Sequence, residues 1–117
     1  MSNRRTNPNF MNGVPEFLVL MLFADREMYG YEVVQAVRHR TGDAIILGEG
    51  VIYPVLHALE RDGALKSRRR TVNGRSRIYY SITAKGNRRL NDLTSTWTKL
   101  TNAIQNVIAG GKHVEAV

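Results

Sequence analysis

The chain has 117 residues, 43% of them hydrophobic, and a formal net charge of +7. That length supports one domain with a small core, and the lack of cysteine excludes a disulfide framework and a thiolate metal site, which fits a reducing, cytoplasmic setting. The only long apolar run, Phe17 to Ala24, is far shorter than the roughly 20 residues of a spanning helix and has no cleavage site after it, so no membrane partner is expected.

In chain order, residues 1–13 mix Asn, Arg, Pro and Gly without periodicity and are expected to form a flexible arm, with Arg4 and Arg5 solvated. Pro15 suits the first position of a helix and Glu16 the positive end of its dipole, so helix one is predicted from Pro15 to about Asp25. Its interior, Phe17 to Phe23, is apolar on every side and needs cover all round. A second copy of the chain would supply that cover.

Helix two is predicted over Tyr29 to Thr41, with Tyr31, Val33, Val34 and Val37 on one face and Gly42 as its stop. Asp43 to Gly50 reads as a short strand or an extended loop. Helix three should run from near Gly50 to Gly63, burying Ile52, Val55, Leu56 and Leu59 and showing Tyr53, Pro54, His57 and Arg61 on the other side. Pro54 costs little only in a first turn, which sets the helix start near Val51.

Arg61 to Arg77 holds Arg61, Lys66, Arg68, Arg69, Arg70, Arg75 and Arg77 against Asp62 alone; seven minus one gives +6 of the net +7. Asn73-Gly74 near its end is a strong hairpin signal, because both central positions of a type I′ turn need positive φ. Strands are predicted at Ala64 to Val72 and Arg75 to Ile82, with Ile78, Tyr80 and Ile82 toward the core and Tyr79 and Ser81 outward. Like charges on adjacent strands repel unless an anion neutralises them, so an arginine hairpin after an apolar helix reads as a wing made for phosphate.

Thr83 is a good N-cap for a final helix, in which Leu90, Leu93, Trp97, Leu100, Ile104 and Val107 recur every three or four residues as a coiled-coil seam. Gly110-Gly111 should end it. The predicted fold is mainly α with a small β-hairpin. It comprises a winged helix-turn-helix over 14–82, a dimerisation helix over 83–110 and a disordered tail over 111–117.

Tyr29-Gly30-Tyr31-Glu32; Gly50, Tyr53, Pro54, Leu56, Leu59, Glu60 and Gly63; and Arg75, Arg77, Tyr79, Tyr80, Ile82, Thr83 and Gly86, in this order, resemble the PadR family of bacterial transcriptional regulators. The likeness extends from about Pro15 to Ala109, and the compact length with a single C-terminal helix is similar to the smaller subgroup. Val51 stands where the family usually has Thr or Ser and offers no hydroxyl to a phosphate. The resemblance implies a homodimeric repressor of a palindromic operator, released by a small aromatic or cationic compound.

The predicted contacts to double-stranded DNA are Val51, Tyr53, Pro54, His57 and Arg61 at the major groove, and Arg68, Arg69, Arg70, Arg75 and Arg77 on phosphates. Dimer contacts are expected from Phe17, Leu20, Leu90, Leu93, Trp97, Leu100, Ile104 and Val107. Trp97 either fills that interface or, near a two-fold axis, walls a flat aromatic-effector pocket with Phe17, Leu18, Met21 and Leu93 as neighbours. His57 and Glu60 one turn apart are too common a pair to assign a metal, and His39 and His113 receive no role. No cofactor and no catalysis are expected, because no nucleophile, base and orienting group recur at a usable spacing. An RNA-binding or ribosome-associated winged helix and a protein-interaction adaptor are the competing functions.

Overall fold

The computed structural model describes residues 8–116, with their side chains over 13–111. Helix α1 (Pro8–Asp25) leads to a two-residue strand β1 (Met28–Tyr29), then helix α2 (Gly30–Arg40), helix α3 (Glu49–Arg61), strands β2 (Leu65–Val72) and β3 (Arg75–Ile82), and helix α4 (Ala84–Ala116). Residues 1–7 of the expected arm, with Arg4 and Arg5, and Val117 lie outside the described residues.

The hairpin forms where the turn chemistry puts it. Asn73 and Gly74 take φ of 53° and 78°, and β2 pairs with β3 in one register from Val72↔Arg75 to Leu65↔Ile82. A third strand was not foreseen: β1 pairs antiparallel with β3 through Met28↔Tyr80 and Tyr29↔Tyr79, giving the order β1-β3-β2. That addition corrects the expected alternation. Tyr79 is buried, because Tyr29 meets its ring edge-on at 5.4 Å and the Arg70 guanidinium lies 4.4 Å above it. Ile78 sits two register positions nearer the turn than Tyr80, and is exposed rather than in the core.

The core joins Val19, Leu20 and Phe23 of α1 to Val33 and Val37 of α2, Ile52, Leu56 and Leu59 of α3, and Met28, Leu65 and Tyr80 of the sheet. Most of the apolar belt of α1 is thus covered within one chain, leaving Met21 exposed and Phe17 and Leu18 half-buried. Tyr31, expected on the buried face of α2, is exposed; of the four residues expected there, Val33 and Val37 are buried.

Three helix limits also differ from expectation. Helix α1 starts at Pro8, which takes the first position that Pro15 was expected to hold. Pro15 lies inside it, and the early turns run beside α4: a Cβ built on Gly13 would sit 3.6 Å from the Trp97 ring. Helix α3 begins at Glu49, so Pro54 falls in its second turn; the only backbone bond lost is the one to the Gly50 carbonyl, at an exposed helix end. Helix α4 continues through Gly110 and Gly111, because glycine lowers helix propensity by about 1 kcal/mol but keeps its N–H in the ladder.

Helix α4 is bolted at its first turns. Thr83 caps it by accepting the Gly86 N–H at 3.0 Å, while its hydroxyl is also 2.6 Å from the Gly63 carbonyl at the end of α3. Arg89 donates twice to Glu16 of α1, at 2.9 and 3.1 Å, and once to Asp62, at 3.3 Å. Gly86 is required there, since a methyl group on it would overlap the Ala64 carbonyl oxygen. Gly86→Ala should therefore cost about 3 kcal/mol or more of unfolding free energy in urea titration, at the upper end for overpacking; a loss under about 1 kcal/mol would show that this junction yields.

Candidate nucleic-acid interface

Helix α3 offers its outer face because Ile52, Leu56 and Leu59 fix the inner one. Gly48 caps it through a carbonyl that accepts the Val51 and Ile52 N–H groups, both at 3.0 Å. Val51, Pro54, His57 and Arg61 are exposed along the outer side. Tyr53 is half-buried, with its ring packed on Gly30, where any Cβ would overlap it. It therefore braces the start of α2 as well as edging the outer face. A groove of about 400 Å³ runs between the start of α2, the face of α3 and the sheet, lined by Tyr29, Gly30, Tyr31, Tyr53, His57, Arg77, Ile78 and Tyr80. Tyr31 was not among the predicted contacts, and it is exposed on the same groove.

Glu60 is directed at the wing, where it accepts the Ser67 hydroxyl, and not at His57. Among the described residues no three His, Cys, Asp or Glu side chains converge as metal ligands. Burial, aided by Glu60 and Tyr53, raises the Tyr80 phenol above its ordinary value, so it stays neutral.

The wing cations fall into two sets. Arg68 donates from Nε and Nη2 to both oxygens of Glu27, at 2.9 and 3.0 Å, and Arg70 adds a third bond at 3.0 Å. Arg77 stacks on Tyr29, 4.3 Å above the ring, a contact that leaves its N–H edge for other acceptors. Arg69 donates to Ser76 at 3.2 Å. Among the described residues, no acid reaches Arg61, Lys66, Arg69, Arg75 or Arg77 within 4.0 Å. The tract's repulsion is thus relieved in part from inside the molecule, by an acid that precedes β1. The sequence carried no spacing signal for this, because Glu27 lies 41 and 43 residues from the arginines it joins.

The predicted dimer residues also divide. Leu20 and Leu90 are buried in their own chain and do not form an outer surface. Leu93, Trp97 and Leu100 are half-buried, while Ile104 and Val107 are exposed beyond the globular part. Phe17 stacks on Trp97 within the chain, at 5.8 Å and 8° between planes. Phe17, Leu18 and Met21 also line a cavity of about 210 Å³ between α1 and α2; Leu93 and Trp97 are not part of its wall.

Helices α2 and α3, the cationic hairpin and the strand that joins it to them define a winged helix-turn-helix. The Transcriptional regulator PadR-like family model matches residues 19–92, and the chain belongs to that family. It is 32% identical over 105 residues to the Transcriptional regulator Rv3488 of Mycobacterium tuberculosis, covering 89% of this chain and 92% of the relative. A Streptococcus transcriptional regulator of known structure is similar with a TM-score of 0.74 and 30% identity, over 86% of this chain and 98% of that one. A PadR-like transcriptional regulator from Bacillus cereus is similar with a TM-score of 0.74 and 26% identity, over 86% and 96%. The protein is a transcriptional regulator and not an enzyme. Among the described residues no helix is long and apolar enough to cross a membrane.

The hydrogen bonds from Arg68 hold the Glu27 carboxyl below its ordinary value, against the opposing effect of burial. A depressed folded value contributes stability above the unfolded one, about 4.3, and loses it as pH falls through the folded value. The stability gap between wild type and Glu27→Gln should therefore be flat above about pH 5.5 and shrink steadily below about pH 4.3 in urea titrations. A gap unchanged down to about pH 3 would mean that the carboxylate does not hold these arginines in solution.

Proposed function

We propose that the protein binds duplex DNA as a homodimer and represses transcription, with α3 in the major groove and the wing along the phosphates. The observation that carries the reading is the exposed outer face of α3, from Val51 to Arg61, flanked by wing cations that have no acidic partner among the described residues, Arg69 and Arg75 above all. Val51, Tyr31 and His57 stand where base edges would meet the helix, and Arg61, Arg75 and Arg77 are the cations nearest in kind to phosphate anchors. The exposed Ile104 and Val107 on α4, with Met21 on α1, are the apolar surface that a second copy would cover. The stacked Phe17 and Trp97 supply an aromatic face on which a planar effector would act.

Arg75→Ala should lower the log–log salt slope of binding by about 0.9 and weaken operator and random duplex alike, as loss of one phosphate contact requires. His57→Ala should instead cost about 1–3 kcal/mol on the operator alone. Fluorescence anisotropy across a sodium chloride series measures both, and an unaltered slope for Arg75→Ala would take the wing out of the mechanism.

A further inference from the structure

Glu27 is set by the backbone, not by its own flexible stem. It directly precedes Met28 and Tyr29, whose pairing with Tyr80 and Tyr79 fixes where its carboxylate can reach. Arg68 lies opposite Tyr79 in the next strand, so Tyr29, Tyr79 and Arg68 share one face of the sheet, and Arg70 shares it two residues on. The three charge-assisted bonds then converge on a carboxylate that is only 22% exposed. Arg70 is further held by the Tyr79 ring beneath it. A bidentate pair inside such a network is the geometry in which a surface ion pair persists, and it is also how an arginine grips a phosphate.

We infer that Glu27 masks part of the wing: its carboxylate stands in for a phosphate on Arg68 and Arg70 and withholds those two guanidinium groups from the DNA backbone. The inference rests on the DNA-binding reading above and departs from the expectation, drawn from the sequence, that Arg68 and Arg70 contact phosphate. Backbone attraction is blind to sequence and accounts for nearly all binding to non-cognate DNA. Two fewer cations for phosphate lower that background, while the face of α3 that reads bases is untouched. Affinity for operator and bulk DNA falls alike, and its salt dependence with it.

The test measures binding to a random-sequence duplex against salt for wild type, Glu27→Gln, the triple variant E27Q/R68Q/R70Q and Arg75→Ala. Glu27→Gln should steepen the log–log slope by about 0.9 for each guanidinium recovered, up to about 1.8, and raise low-salt affinity for this duplex about tenfold or more. The triple variant should keep the wild-type slope, because the residues it neutralises do not touch phosphate. A wild-type slope for Glu27→Gln, or a triple variant shallower by one unit or more, overturns the inference; in both cases a shallower slope for Arg75→Ala leaves the wing in place. If Glu27→Gln fails to fold, the triple variant decides alone. Wild-type protein that shows no salt-dependent binding removes the DNA reading itself and the withheld arginines with it.

Discussion

The pairing of Met28 and Tyr29 with Tyr80 and Tyr79 ties the wing to the helices. Without it the hairpin would be a two-stranded ribbon, marginal in water and able to swing about its base. With it, the same short segment closes the sheet, buries Met28 in the core, supplies Tyr29 as the residue before α2 and brings Glu27 to the wing. The Tyr29 N–H is accepted by Glu32 at 3.1 Å, so the start of α2 is satisfied at the place where the strand ends. The face of α3 and the wing therefore keep one mutual geometry.

A second junction orients what lies beyond this frame. Thr83, Gly86 and Arg89 hold the base of α4 against α1, the end of α3 and the start of β2. Helix α4, roughly 50 Å long at 1.5 Å per residue, carries Ile104 and Val107 far from that base. One guanidinium, that of Arg89, binds acids on α1 and at the end of α3, so the base of α4 is fixed to both.

Much of this was legible from residues whose local chemistry admits few alternatives. Asn73-Gly74 demanded positive φ at both positions, and the Ile52, Leu56 and Leu59 stripe fixed which side of α3 is outward. What the sequence hid was long-range. A strand of two residues has no periodicity to read, and missing it reversed the burial of Tyr79 and Ile78 and concealed the acid that engages Arg68 and Arg70. Proline positions misled for a related reason: packing of α1 along α4 and an exposed Gly50 carbonyl let Pro15 and Pro54 lie inside helices where propensity alone would not put them. Local rules located the elements, and tertiary contacts decided which side chains remained available.

What such a surface can do follows from symmetry. Two copies joined through α4 would present two α3 helices and two wings on one side, and a two-fold dimer of this kind spans half-sites about one helical turn, roughly 34 Å, apart. The most direct measurement is hydroxyl-radical footprinting on a duplex selected by this protein from a random pool. A two-fold dimer gives two protected patches related by a two-fold axis, about 10 base pairs between centres, over an inverted-repeat sequence. A single patch, or no enriched duplex at all, would contradict it.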